Sequence, residues 1–263
     1  VNLSIKFKHV AFFSGKKSFF YKNSPFCDNL KVEPTFQGVF MVKIFDADLV
    51  KGHFIINDDG RRALVDTGCP FIINDGNMHS VPMGELFLNN ARLNVDPNIS
   101  EFRGLEYFAQ RKMLFDYKKG AIVIANQGDG IDLVHPVAEF PISGLPLRIV
   151  FSAVIDGVSR NLIFDTGASI ANYLTEPIAR TGTPCGTATD FHPLNGNFTV
   201  DQFLHSVKIG GETVDIPFAV QPSDIDCEVQ LSGAVGVIGI GLYEKFQVLV
   251  DCPNQRLVLG KYE

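Results

Sequence analysis

One tripeptide is written twice in closely matched surroundings, and that repetition limits what this chain can become. Leu64-Val65-Asp66-Thr67-Gly68-Cys69 is echoed by Ile163-Phe164-Asp165-Thr166-Gly167-Ala168, with 99 residues from one aspartate to the other. Two apolar residues lead into Asp-Thr-Gly each time and a small residue follows. Taken singly, either copy would be a turn at a strand end; a pair in matched frames indicates two similar units. The parallel extends outward. Residues 62–65 return from an Asp58-Asp59-Gly60 turn, and residues 161–164 return from Asp156-Gly157. Gly104 precedes Asp116, and Gly239 precedes Asp251, by 12 residues in both cases.

Between and after these points the pattern predicts β structure. Helical periodicity is scarce, and the apolar stretches are short, rich in Val, Ile and Phe, and punctuated by Gly, Asn and Asp. Strands are expected at 3–8, 39–45, 53–57 and 148–155. Closing hairpins are expected at 113–124 and 248–259, and short helices at 105–111 and 242–246. Residues 86–93 are expected to repeat 207–214 as strand, tight turn, strand. Two units are too few to stack as a solenoid, so they form a pseudo-symmetric pair. The fold class is therefore all-β, two pseudo-twofold-related β-barrel-like lobes with few short helices. The boundaries read as an N-terminal extension of unassigned role (1–37), a first lobe (38–125), a linker (126–144) and a second lobe (145–263). The copies differ mainly in one place: Gly104 follows Asp66 by 38 residues, whereas Gly239 follows Asp165 by 74.

Composition narrows the function classes. With 263 residues, 46% hydrophobic and 20% charged, the chain can bury a sizeable core. A net charge of −6 spread along the sequence offers no basic surface for nucleic acid. The longest apolar run, about 234–243, is too short to span a bilayer. Secreted, periplasmic and cytoplasmic locations all stay open. Five cysteines, with no CxxC spacing, suggest neither a zinc site nor a complete disulfide framework; Cys185 with Cys227 is the pairing to expect in an oxidising compartment. The six histidines show no metal-ligand spacing, and His79, His135 and His205 read as surface or loop residues. No metal and no cofactor are expected.

The chemistry of a doubled Asp-Thr-Gly follows from electrostatics. Glycine permits a tight turn, threonine can hydrogen-bond inward to lock one loop to the other, and two such loops bring two carboxyls together. Like charges that close share one proton and titrate as a unit. A water held between them faces a base and an acid at once, the requirement for attack on a carbonyl. With these residues in view, the chain resembles the aspartic proteases. The short units, Asp165-Thr166-Gly167-Ala168-Ser169 and Val237-Ile238-Gly239 are similar to retropepsin-like enzymes, here with both units in tandem as in pepsins. The resemblance spans roughly residues 50–260. It implies Asp66 and Asp165 as the catalytic pair, with Thr67, Gly68, Thr166, Gly167 and Ser169 supporting the loops. It also implies a flap hairpin over the cleft, for which 190–199 has room, with Asn195 and Gly196 at its tip; residues 74–83 offer at most a stub.

The expected function is an aspartic endopeptidase acting on a peptide or protein, as a monomer with a pseudo-dimeric site and no covalent intermediate. The alternative is a catalytically inactive peptide-binding or protein-interaction module of the same shape. Three positions depart from the pattern. Cys69-Pro70 stands where the second unit has Ala168-Ser169, removing a supporting hydroxyl. Cys69 beside an aspartate suggests either a thiol nucleophile or, as favoured here, a small buried filler. Arg103 replaces an apolar residue before Gly104, as a salt-bridged surface residue or as a cation beside the pair. Neither Cys69 nor Ala168 supplies a hydroxyl just after Asp-Thr-Gly, so a pH optimum from mildly acidic to near neutral is expected.

Overall fold

The computed structural model describes residues 9–11, 30–33, 42–126, 130–133, 135–192 and 196–262. The strand expected at 3–8 lies outside them. After β1 (His9–Ala11) and β2 (Leu30–Glu33), the first unit runs through β3 (Val42–Asp46), β4 (Asp48–Val50), β5 (His53–Asp58) and β6 (Arg61–Val65). The turns Lys51-Gly52 and Asp59-Gly60 hold both residues at positive φ, the two-residue geometry whose twist matches that of the flanking strands. The second unit repeats it at Asp156-Gly157. Beyond β6 come β7 (Ile72–Asn74), α1 (Gly84–Asn94), β8 (Glu101–Arg103), α2 (Leu105–Phe108), β9 (Arg111–Asp116) and β10 (Ala121–Asn126).

The middle of the chain supplies β11 (Gly130–Leu133), β12 (Pro136–Pro141), β13 (Val150–Ile155), β14 (Val158–Phe164), β15 (Asn172–Leu174) and α3 (Glu176–Ala179). A long hairpin of β16 (Thr183–His192) and β17 (Gly196–Ile209) follows, then β18 (Glu212–Val220) and α4 (Ser223–Leu231). The chain ends with β19 (Gly236–Ile238), α5 (Ile240–Tyr243), β20 (Phe246–Asp251) and β21 (Arg256–Lys261).

Both units make the same unusual crossing. β6 pairs in parallel with β8, and β7 pairs antiparallel with that same β8. In the second unit β14 pairs in parallel with β19, and β15 antiparallel with β19. Each Asp-Thr-Gly is the loop that leaves the parallel pair. The units share a seven-stranded sheet in the order β1-β3-β10-β9-β20-β21-β12, with β9 and β20 antiparallel at its centre from Phe115↔Val248 to Lys112↔Asp251. Outward from that seam, β9-β10-β3 on one side mirrors β20-β21-β12 on the other. Phe54, Val65, Phe115, Phe164, Val248 and Leu257 belong to one buried cluster reaching from this sheet into both lobes. Its opposite face is covered through Ile131 and Leu133 of β11.

Three expectations are corrected. Residues 86–93 are not a hairpin but lie within α1, whose buried Gly84, Leu88 and Ala91 recur at helical spacing. Asn89-Asn90 resembles a turn, but two asparagines cost a helix only about 0.7 kcal/mol each, and burying Leu88 returns about 2 kcal/mol. The helices after Gly104 and Gly239 are shorter and earlier than predicted, at 105–108 and 240–243. Residues 126–144, expected to break the strand pattern, contain β11 and β12; Pro136 and Pro141 sit at the two ends of an edge strand, where a missing N–H is tolerated.

Arg103 is salt-bridged but not on the surface. It is 4% exposed, with Nη1 at 2.8 Å from Asp58 Oδ2, Nε at 2.5 Å from Glu101 Oε1, and its guanidinium 4.7 Å above the Tyr107 ring. Lys43 and Arg61 complete the neutralisation of the two carboxylates at 3.3 Å and 2.7 Å. Leu64 and Phe102 line the central cleft, so Arg103, one residue along β8, points to the other face of the sheet. Replacing Arg103 with Met leaves Asp58 to Lys43 and Glu101 to Arg61, and should cost about 2–3 kcal/mol in urea unfolding. Adding Asp58→Asn and Glu101→Gln should recover much of that loss.

Candidate active site

The two Asp-Thr-Gly loops are anchored alike. The Asp66 N–H donates to Arg103 O at 3.1 Å and the Asp165 N–H to Ile238 O at 3.0 Å, so each aspartate is fixed to the strand that crosses beside it. The next segments fold back in step: Leu105 N–H donates to Cys69 O at 2.8 Å, and Ile240 N–H to Ala168 O at 2.9 Å. Gly104 and Gly239 are required there, since a Cβ on either would collide with the carbonyls of Cys69 or Asp165.

The threonines join the loops to each other. Thr67 N–H donates to Thr166 Oγ1 at 3.0 Å, and Thr166 N–H donates to Thr67 Oγ1 at 2.9 Å. Each hydroxyl then donates into the opposite unit, Thr67 to Phe164 O at 3.3 Å and Thr166 to Val65 O at 3.0 Å. Both threonines are fully buried, so every one of these groups would otherwise be an unpaired polar atom costing about 1–3 kcal/mol.

This lock sets the carboxyls against each other. Asp66 Oδ1 accepts the N–H groups of Gly68 (2.8 Å) and Cys69 (3.0 Å), and Asp165 Oδ1 accepts that of Gly167 (2.6 Å). Gly68 lies on the Asp165 carboxyl and Gly167 on that of Asp66, where a Cβ would stand 2.9 Å from the Asp66 oxygens. Burial, the charge of Asp165 and a hydrogen bond between the two carboxyls hold Asp66 well above the ordinary carboxylate range, against its two backbone donors. Cys69 is buried, and burial with the Asp66 charge pushes its thiol up to about 12, which fits a small buried filler better than a nucleophile.

The pair sits in a cleft of about 300 Å³. Leu64, Ile73 and Phe102 wall it from the first unit, and Ile163, Tyr173 and Val237 from the second. The β16–β17 hairpin brings Asp190, Phe191 and His192 to its edge. The hairpin expected at 190–199 is thus present, with His192 paired to Gly196; Asn195 lies outside the described residues, and Gly196 opens β17 at positive φ. In the first unit residues 74–83 form successive turns that bring Pro82 and Met83 to the rim. The Tyr173 hydroxyl donates to Asp190 Oδ2, and burial raises both groups above their usual ranges.

The Ser169 hydroxyl donates to Lys51 O at 3.0 Å, tying the second loop to the β4–β5 turn of the first unit. One expectation changes here. His205 is not a surface residue but fully buried, with Nδ1 at 2.5 Å from Asp156 Oδ2 and Nε2 at 2.9 Å from Ala179 O. Cys185 is an exposed free thiol, while the side chain of Cys227 lies outside the described residues. Among the described residues no group of three or more His, Cys, Asp or Glu is placed to hold a metal ion, and no helix is long and apolar enough to cross a membrane. His53, Tyr173 and Asp190 were missed by sequence reasoning, because isolated residues far apart in the chain leave no spacing signal.

The doubled crossing, the shared sheet and the reciprocal threonine bonds together match what the motifs implied. The chain resembles the aspartic proteases. Among solved structures it is similar to a retropepsin-like aspartic protease from Rickettsia conorii, at 22% identity over 46% of this chain and 89% of that one, with a TM-score of 0.34. It is also similar to an aspartic proteinase from Irpex lacteus, at 11% identity over 84% of this chain and 98% of that one, with a TM-score of 0.48. No protein-family model and no curated protein matches the sequence.

Because Asp66 holds its proton more tightly folded than unfolded, its contribution to stability is complete at acid pH and is lost as pH rises toward its elevated folded value. Asp66→Asn removes that loss. The variant's melting temperature should therefore exceed that of the parent near neutral pH, with the gap closing as pH falls toward 4. Thr166→Val, by contrast, orphans the Thr67 N–H and the Val65 carbonyl; it should cost about 2–4 kcal/mol in urea unfolding, and Thr166→Ser should recover most of it.

Proposed function

We propose that the protein is an aspartic endopeptidase in which Asp66 and Asp165 activate a water for attack on a peptide carbonyl. The observation that supports this reading is the pair of carboxyls set against each other on reciprocally locked loops in a largely apolar cleft. Two carboxyls so close hold one proton between them. One carboxyl of the pair carries that proton and hydrogen-bonds the substrate carbonyl oxygen. Its partner removes a proton from the water as the water oxygen bonds to the carbonyl carbon. Collapse of the resulting diol breaks the C–N bond, with a proton passing to the departing amine. Thr67, Thr166, Gly68 and Gly167 position the pair without touching the reacting atoms.

The rest of the cleft suits an extended peptide. Its apolar walls favour apolar side chains near the scissile bond, and the β16–β17 hairpin, whose Asp190, Phe191 and His192 line the cleft, is the flap in this reading. One chain completes the pair, so the active form is a monomer. Sedimentation should give the mass of a single chain in active preparations.

The test is digestion of an unfolded protein across a pH series, with and without a statine-type inhibitor. The parent should cut inhibitor-sensitively, and Asp66→Asn and Asp165→Asn should each lose at least about a thousandfold in kcat/KM, the scale of a lost acid–base partner. The pH–rate profile should peak between mildly acidic and near-neutral pH; a peak at strongly acidic pH contradicts it. Absence of cleavage at every pH, with peptide binding retained, would establish the binding-module alternative.

A further inference from the structure

His53 is a cleft-lining side chain whose chemistry the peptidase reading leaves unused. It opens β5 beside the Lys51-Gly52 turn, is 5% exposed, and lines the same cavity as Asp66 and Asp165. Both its ring nitrogens are buried with no hydrogen-bond partner among the described residues. Its ring meets that of Phe191 at 5.9 Å and 63°, edge to face, so it stands where the first-unit wall meets the second-unit hairpin. The contrast with His205 is instructive: that buried histidine has a partner on each nitrogen.

We propose that His53 is a specificity-determining residue that hydrogen-bonds an uncharged polar side chain, an amide or a hydroxyl, of the peptide bound in the cleft. Each unpartnered buried nitrogen is a standing cost of about 1–3 kcal/mol, which an apolar ligand leaves in place and a hydrogen-bonding ligand relieves. Amides and hydroxyls both donate and accept, as a neutral imidazole does. The ring is neutral over the working range, since burial and the charge of Lys51 lower it to about 4. A cationic side chain is disfavoured by Lys51, and an anionic one by the aspartate pair. The walls around it are largely apolar, so His53 makes one position along the peptide polar in preference.

This inference rests on the proposed peptide-binding cleft. The test uses peptides, and matching statine-type inhibitors, in which each position flanking the central bond is Gln or Leu in turn. For the parent, one position should favour Gln over Leu. His53→Leu should lower that Gln/Leu ratio about tenfold in kcat/KM and in inhibitor Kd, while His53→Gln, which keeps a donor and an acceptor, should retain much of it. Melting curves confirm that the variants fold. Cleavage with no Gln preference at any position, or a preference indifferent to His53→Gln and His53→Leu, overturns the subsite and leaves the peptidase intact. Inhibitor binding with a His53-dependent ratio but no cleavage supports the subsite and overturns the peptidase. Neither cleavage nor binding overturns both.

Discussion

Two carboxyls that repel each other have to be held in contact by separate parts of the chain, and the structure is arranged around that demand. Four hydrogen bonds through Thr67 and Thr166 do the holding, each donor or acceptor belonging to the opposite unit. Because all four are buried, loosening one exposes no water to replace it. The lock works only if both loops leave their strands at the same height. The matched crossings of β6 with β8 and β14 with β19 supply that, and the shared sheet fixes one unit against the other. Pseudo-twofold symmetry is thus a mechanical requirement of the paired aspartates.

Around this symmetric centre the two units differ. The second extends a long hairpin toward the cleft, while the first replaces the corresponding segment with turns and α1. Ser169 and Gly52 show how the halves compensate: the loop of one unit rests on a turn of the other, and only glycine at 52 leaves room for the Ser169 carbonyl. The first aspartate loop, unconventional in sequence at Cys69-Pro70, is not under-supported. Backbone N–H groups of Gly68 and Cys69 both reach Asp66, so the main chain supplies two donors where a side-chain hydroxyl is absent.

Much of this was legible from residues alone. The repeated tripeptide, the positive-φ turns at Asp59-Gly60 and Asp156-Gly157, and the equal spacing from Gly104 and Gly239 to the next aspartate all depend on local chemistry, which one sequence displays. What misled was local chemistry overruled by packing. Asn89-Asn90 has turn character, yet Leu88 and Ala91 needed a buried face and drew the segment into a helix. Arg103 looked like a surface cation because two carboxylates from β5 and β8 that neutralise it are distant or unremarkable in the chain. His205 looked like a loop residue because Asp156, its partner, is 49 residues away.

The sequence by itself determined that there would be two like units, that each would present an aspartate on a glycine turn at the end of a strand, and that threonine would be available beside each. Those are properties of a few adjacent residues and their periodicity. Only the tertiary structure decided that the threonines exchange hydrogen bonds, that the carboxyls lie against each other, that Ser169 serves the interface, and that His53 lines the cleft with no hydrogen-bond partner among the described residues. Each of these depends on an orientation between residues far apart in the chain, set by how the sheets twist and pack. No spacing rule carries that information.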